Sequence, residues 1–218
     1  MSRPVRVDFI ADVVCPWCAL GSVALEQAIT NLHGEIVVQL TYKPFELNPD
    51  MPAQGEQATQ HMMRKYGRTA EEVASRNAMT IGRGREIGFH FDLEKRTHFY
   101  NTFDAHRLLL WATRFGLQRD LKTALFQAYF TQGENPSDHE TLARLAADVG
   151  LDSTLAREVL ATDQYAHEVR ELERFNQQLG ISSVPAMVLN GHRLVAGSQS
   201  PEFYEQLLRQ EAAEFFEP

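Results

Sequence analysis

The two cysteines of this chain lie three positions apart, in the tetrapeptide Cys15-Pro16-Trp17-Cys18, and no other cysteine occurs among its 218 residues. The apolar, β-branched segment at 5–10 just before them predicts a strand, and apolar residues at helical spacing follow them. Two sulfurs at this spacing can pass between dithiol and disulfide without rearranging the chain. The arrangement therefore predicts a strand-to-helix junction built for thiol–disulfide exchange.

Other roles for the cysteines have less support. A structural zinc site needs four ligands, but there is no third cysteine and no two of the eight histidines are closer than eight positions, so no metal is expected. A structural disulfide gains stability with the length of the loop that it closes, and this one would close almost none. Two buried, unreactive thiols remain an open alternative.

The pattern around the pair predicts a βαβ unit. A near-continuous apolar segment at 36–42 follows the helix, which should end near Gly34, and indicates a strand buried on both faces of a parallel sheet. Cys15 would then lie at a helix N-terminus, where unpaired N–H groups and the helix dipole stabilise a thiolate. Pro16 suits the first helical position. We therefore predict Cys15 as the nucleophile and Cys18, one turn later, as the resolving thiol.

The middle of the chain shows helical periodicity and almost no strand signal. The predicted helices lie near 56–66, 69–87, 97–115, 118–132, 138–149 and 152–162. Beyond them come a helix near 163–179, strands at 186–189 and 193–195 joined by a type I′ turn at Asn190-Gly191, and a helix from about 201 to 215. This order predicts an α/β layer fold interrupted by an all-helical module. The expected domains are 1–45 with 165–218, and an insertion at 46–164.

Several further candidates are weaker. The glycines at 82, 84 and 88 lack the preceding strand and the spacing of a phosphate-binding loop. His98 and His106 fall on the helix predicted at 97–115, where packed histidines are more common than catalytic ones. Asp12, and less so Asp8, could accept the proton of the resolving thiol, although a carboxylate that caps a turn is the commoner case.

Composition excludes some classes of partner. With 21 Lys and Arg against 29 Asp and Glu, the net charge of −8 argues against nucleic-acid binding. No apolar run approaches the length of a membrane span, and the first residues enter a strand pattern without a secretory leader. A cytoplasmic, reducing setting is therefore expected, in which a disulfide is usually transient and catalytic. A homodimer stays an open alternative.

The Cys-Pro-Trp-Cys motif, together with the stretch at 180–191 that contains Val184-Pro185, resembles the DsbA-type branch of the thioredoxin superfamily over essentially the whole chain. Stretches at 43–49, 101–107 and 194–199 narrow the resemblance to FrnE-like proteins, which group with 2-hydroxychromene-2-carboxylate isomerases and kappa-class glutathione transferases. It implies a thioredoxin-like fold with a large all-helical insertion domain. It also implies a cis Val184–Pro185 bond packed against the cysteines, with the Val184 backbone holding an extended thiol substrate. Considered alone, Pro185 could equally be a proline that opens a strand.

The leading functional hypothesis is a cytosolic, DsbA-like protein-disulfide oxidoreductase acting on thiols or disulfides of proteins or of glutathione. No bound cofactor is expected, and glutathione is a candidate co-substrate. The alternative is a glutathione-dependent transferase or isomerase acting on aromatic small molecules, although those relatives generally carry serine where this chain has Cys15. A redox-gated binding module is a third class. The predicted catalytic residues are Cys15, Cys18 and Pro185, and the predicted substrate-binding residues are Pro16, Trp17 and Val184. Trp17 could instead pack into the core.

Overall fold

The computed structural model describes residues 4–52 and 54–214. Its strands are β1 (Val5–Ala11), β2 (Val38–Pro44), β3 (Glu56–Gln57), β4 (His98–Phe99), β5 (Ala186–Leu189) and β6 (Arg193–Ala196). Its α-helices are α1 (Pro16–Asn31), α2 (Ala58–Tyr66), α3 (Ala70–Glu86), α4 (Phe103–Ala112), α5 (Gln118–Gln127), α6 (His139–Asp148), α7 (Ser153–Ala161), α8 (Ala166–Gln178) and α9 (Pro201–Glu214). A π-helical turn, Ala128–Gln132, extends α5.

The central sheet has the strand order β2-β1-β5-β6. β1 pairs in parallel with β2 and antiparallel with β5, so the predicted βαβ unit is confirmed. Phe9 in β1 is fully buried and lies against Gly21 of α1, whereas Ile10 joins a small cluster on the opposite face. Both residues of the β5–β6 turn, Asn190 and Gly191, have positive φ, as a type I′ turn requires.

A side-chain amide completes the exposed edge of the sheet. Gln118 in α5 donates to the carbonyl oxygen of Tyr42 and accepts from its N–H, each at 2.9 Å. The amide thus makes the two hydrogen bonds that a neighbouring strand would make, and this edge of β2 is closed at Tyr42.

Helices α2 to α7 occupy the predicted insertion, with one correction to their bounds. The helix predicted at 97–115 begins only at Phe103, because the Asn101 side chain accepts a hydrogen bond from the Phe103 N–H and starts the helix there. His98 therefore lies in β4, which pairs with β3, and not on a helix. These two-residue strands were not predicted.

Sheet and inserted helices share one hydrophobic cluster. Its fully buried members include Leu25 of α1, Leu108 of α4, Leu125 of α5 and Leu208 of α9. The inserted helices are thus held against the strand-to-helix junction that carries the cysteines. The division into domains at 45 and 165 stays a prediction.

Within the described ranges, no helix is both long enough and apolar enough to cross a membrane.

Candidate functional site

The two cysteines occupy the start of α1. Cys15 is the N-cap, with extended backbone angles (φ −92°, ψ 113°), and Pro16 is the first helical residue. The Cys15 carbonyl oxygen accepts from the N–H groups of Cys18 at 3.0 Å and Ala19 at 3.2 Å. Cys18 is therefore one turn into the helix, as predicted, and Cys15 lies where the helix offers its unpaired N–H groups.

The two sulfurs have different surroundings. Both thiols are free, and Cys15 is 4% exposed whereas Cys18 is completely buried. Burial raises the pKa of the Cys18 thiol well above its usual range, and the hydrogen bond to the Cys15 sulfur raises it further. Cys15 lines an open cleft, but Cys18 does not. An incoming disulfide therefore meets Cys15 first.

A second segment, from the far end of the chain, lies beside Cys15. The Val184–Pro185 peptide bond is cis, as the resemblance implied. The Val184 carbonyl oxygen lies 3.8 Å from the Cys15 sulfur, so the predicted proximity of the two segments is also present. Gly21 of α1 lies beside this segment: a Cβ atom there would be at an ordinary contact distance of 3.5 Å from the Pro185 ring, and closer, at 3.2 Å, to the Phe9 ring.

A buried carboxylate lies behind the cysteines. Asp12 is fully buried and its Oδ2 accepts from the Leu47 N–H at 2.6 Å. Its Oδ1 lies 3.6 Å from His106 Nε2. Burial opposes ionisation, yet His106, the Leu47 N–H and Lys122 together hold the pKa of the Asp12 carboxyl below its usual range. Asp8, by contrast, lies on the sheet at 45% side-chain exposure and pairs with Lys43.

A buried lysine completes this group. Lys122 in α5 is 1% exposed, and its ammonium lies over the rings of Tyr42 and Phe126, 5.7 and 4.8 Å from their centroids. Burial lowers the pKa of Lys122 to about 8, although the charges of Cys18 and Asp12 favour its protonated form. The site thus holds a proton-binding cluster next to the buried thiol.

The cleft at Cys15 has a volume of about 220 Å³ and is formed by both parts of the chain. The sheet and α1 contribute Val14, Cys15, Pro16, Trp17 and Val184. The loop after β2 and the α2–β4 region contribute Leu47, Asn48, Met62, Tyr66, Arg68, Val73, Arg76, Asn77, Met79, Thr80, Arg96 and Phe99. Trp17 is half-buried: it packs against the core, borders the cleft and lies 5.2 Å from the guanidinium of Arg83. The packing of Trp17 against the core is therefore present, while its contact with a substrate stays a prediction.

All six predicted site residues lie together, at the cleft or directly beneath it. Sequence reasoning missed Lys122, and for His106 it favoured a packing role over a catalytic one. One signal for Lys122 was available: it follows Leu121 and precedes Leu125 and Phe126 on the apolar side of α5, where a charge is unusual. The arginines of the cleft come from separate segments, and no sequence spacing shows that they converge.

One cluster elsewhere has the composition of a metal site. Single ligand atoms of His192, Glu211 and Glu214 lie within 4.8 Å of one another. Arg193, however, bonds to Glu211 at 2.9 Å and to Glu214 at 2.6 Å. The two carboxylates are therefore already paired with the guanidinium of Arg193.

Comparison with known proteins agrees with this geometry. The family model of the DSBA-like thioredoxin domain matches residues 6–209. A probable DsbA oxidoreductase from Streptomyces coelicolor is 32% identical with a TM-score of 0.89, over 98% of this chain and 92% of that one.

Two other solved structures share the fold at lower identity. The cytosolic disulfide reductase DsbM from Pseudomonas aeruginosa, solved with GSH, is 16% identical (TM-score 0.63, 96% of each chain). A 2-hydroxychromene-2-carboxylate isomerase is 14% identical (TM-score 0.64, 96% of this chain and 94% of that one). The resemblance found in the sequence indicates both DsbA-type proteins and 2-hydroxychromene-2-carboxylate isomerases as relatives. The match over residues 6–209 and the shared fold establish that this chain belongs to the family of DSBA-like thioredoxin domains.

Proposed function

We propose that this protein is a thiol–disulfide oxidoreductase that uses Cys15 as nucleophile and Cys18 as resolving thiol. The observation that carries the proposal is the asymmetry of the pair: Cys15 lines the cleft at the start of α1, while Cys18 is buried one turn behind it with a raised pKa. A nucleophile needs access and stabilisation of its anion, whereas a resolving thiol needs to be reached only by its partner.

The exchange proceeds in two steps. The Cys15 thiolate attacks one sulfur of a substrate disulfide, the Cys15–sulfur bond forms, and the other substrate sulfur leaves with the electron pair and takes up a proton. The Cys18 sulfur, once deprotonated, attacks Cys15 and releases the second substrate thiol. The protein is left as the Cys15–Cys18 disulfide, and two electrons have passed to the substrate. The reverse sequence oxidises a dithiol.

The neighbouring groups have roles in this scheme. The Val184 backbone, beside the Cys15 sulfur, holds the extended substrate, and Pro185 positions it from the next residue. Pro16 and Trp17 shape the entry to the cleft. The ionised Asp12 carboxylate accepts the Cys18 proton before the second step, and Lys122 stabilises the charge that appears there.

Glutathione is the co-substrate that we propose, and the cytoplasm is the proposed setting. The Pseudomonas aeruginosa neighbour, named a cytosolic disulfide reductase and solved with GSH, supports both points by analogy of fold alone. Protein disulfides are also substrates in this proposal.

Trapping the intermediate tests the mechanism. Reduced Cys18→Ala protein, mixed with a disulfide-bonded peptide, should accumulate a mixed disulfide through Cys15 that intact-mass spectrometry detects and dithiothreitol reverses. Cys15→Ala is the matched control and should form no adduct. Exchange activity that survives in Cys15→Ala would contradict the assignment.

A glutathione-dependent transferase or isomerase is the alternative. It has less support because Cys15 and Cys18 form a complete redox pair, whereas transfer chemistry requires only one group to activate a bound thiol. Parallel assays of insulin reduction and of glutathione conjugation to an electrophile decide between them. Conjugation that persists in Cys18→Ala, without insulin reduction by the wild type, would favour the transferase.

A further inference from the structure

The cleft beside Cys15 is positively charged in an acidic protein. Three arginines line it, Arg68, Arg76 and Arg96, and none of its described lining residues is an aspartate or a glutamate. Arg83 adds a fourth cation at the rim, over Trp17. The net charge of the whole chain is −8. An excess of positive charge in a cleft favours the binding of an anionic ligand.

These arginines are incompletely bonded, unlike most arginines in the described chain. Arg119 pairs with Glu26 and Arg157 with Glu140, for example. Among the described residues, Arg68 and Arg76 have no ion pair.

Two of the guanidinium groups carry buried donors without acceptors. Arg96 is only 7% exposed; it lies over the Phe99 ring at 4.8 Å, and its Nε has no hydrogen-bond partner. The Nε of Arg68 is likewise buried and unpartnered. A buried charged donor without an acceptor is costly. A ligand that supplied the acceptor would remove that cost, and a planar guanidinium matches a carboxylate with two parallel hydrogen bonds.

We infer that Arg68, Arg76 and Arg96 form a subsite for the carboxylate groups of a small acidic thiol whose sulfur exchanges at Cys15. This inference rests on the proposed function and specifies its substrate. The enclosed position of Arg96 decides between a small ligand and an acidic protein surface, because only a group that enters the cleft can reach that guanidinium.

The subsite promotes exchange by positioning the substrate disulfide at Cys15. With the carboxylates of a small disulfide held by the arginines, one of its sulfurs lies at Cys15. The Cys15 thiolate bonds to that sulfur, and the other half leaves as a thiolate that takes up a solvent proton. Cys18 then displaces the bound half, which leaves as the second thiol, and the protein is oxidised by two electrons.

Two disulfides that differ in charge test the subsite. Glutathione disulfide carries carboxylates, and 2-hydroxyethyl disulfide carries none. Oxidation of the reduced protein by each is followed through Trp fluorescence or thiol titration, in wild type, Arg68→Gln, Arg76→Gln, Arg96→Gln and Arg96→Lys. Arg85→Gln is the control. Arg85 lies in α3, as Arg76 does, but it is exposed and does not line the cleft.

Each Arg→Gln change in the cleft should lower the second-order rate constant for oxidation by glutathione disulfide by about 10-fold or more, the effect of losing a charge-assisted hydrogen bond. The rate with 2-hydroxyethyl disulfide should stay within about twofold of wild type on the same argument. Arg96→Lys should restore part of the loss, and Arg85→Gln should change neither rate. Arg68 and Arg76 are only half-buried, so their variants test the subsite even if Arg96→Gln fails to fold.

The contrary outcomes separate failure of the subsite from failure of the proposed function. An equal loss with both disulfides, an equal effect of Arg85→Gln, or a wild type that shows no preference for the charged disulfide would overturn the subsite and leave the exchange mechanism standing. A wild type that reacts with neither disulfide would instead overturn the proposed function.

Discussion

Asp12 and Asp8 differ in burial although they lie close together in the sequence. The two carboxylates lie four residues apart and both precede the cysteines, yet Asp12 is completely buried behind them and Asp8 faces outward to Lys43. The difference follows from the strand: β1 ends at Ala11, so Asp12 lies in the turn that leads into α1 and no longer follows the alternation that directs Asp8.

Asp12→Asn should slow the second step of exchange and spare the first. The amide can still accept from the Leu47 N–H, so the loop is kept, but it cannot take the Cys18 proton. Rapid-quench measurement of the mixed disulfide should show formation at the wild-type rate and decay about 100-fold slower, the lower end of the range for loss of a general base. Asp8→Asn is the matched control and should change neither phase. A slower formation step with normal decay would exclude this role for Asp12.

For single residues, the sequence predicts those that lie in a recognisable motif or directly next to one. Cys15, Cys18 and Pro185 follow from motifs, and Asp12 from its place next to them. Lys122 and Arg96 could not be found in the same way, because they reach the site only through the packing of α5 and of the loop before β4, which depends on contacts far apart in sequence.

The glycines of α3 show why a motif needs its structural element. The stretch at 82–88 has the closely spaced glycines of a phosphate loop, but Gly82 and Gly84 lie inside a helix. A Cβ atom at Gly84 would lie 2.6 Å from the carbonyl oxygen of Phe89 and 2.4 Å from the Phe91 ring, whereas at Gly82 it would meet nothing within 4 Å. Gly84 is therefore a packing residue that lets the next segment fold back onto α3.

Replacing each glycine by alanine should have opposite effects. Gly84→Ala should lower the free energy of unfolding by about 1–3 kcal/mol, because the backbone of Phe89 must move. Gly82→Ala should raise it by up to about 1 kcal/mol, since alanine favours the helix and no contact opposes it. Urea unfolding of the two variants beside wild type measures both. Equal effects of the two changes would contradict the packing role.

Elements with strong periodicity could be predicted and short ones could not. The helix predicted at 69–87 matches Ala70–Glu86 to within a residue at each end. The error at 97–115 arose because the apolar spacing continues across β4, while a single side chain, Asn101, starts the helix six residues later. Two-residue strands such as β3 carry no periodicity at all.

Across the whole molecule, a partly buried charge cluster links the end of β2 to α8 and α4. Arg170 of α8 bonds to Glu46, just after β2, and to Glu173, while its guanidinium lies 3.9 Å from the Phe103 ring centroid in α4. Glu46 Oε2 and Glu173 Oε1 are buried without a partner. Burial and the charge of Glu173 raise the pKa of Glu46 to about 8, against the opposing effect of Arg170.

This cluster should make stability depend on pH. The folded pKa of Glu46 is above its unfolded value, so its protonation stabilises the fold fully below about pH 4.5 and this contribution is lost as pH rises through about 8. Glu46→Gln removes that titration. Its free energy of unfolding relative to wild type should therefore increase by about 1–3 kcal/mol between pH 5 and pH 9, measured by urea titration. Glu171→Gln, an exposed change on α8, which also carries Arg170 and Glu173, should show no such trend. A difference that is constant with pH would exclude the Glu46 titration.

The strand order β2-β1-β5-β6 has a consequence for how the protein is made. β1 emerges first from the ribosome, but one of its two neighbours is β5, which begins only at residue 186. A nascent chain with fewer residues carries a central strand with one edge open and a cysteine pair that lacks the wall supplied by Val184. Until Val184 and β5 have been synthesised, the cleft beside Cys15 is incomplete. The incomplete chain therefore exposes an unpaired edge of β1, and such edges make folding intermediates prone to aggregation.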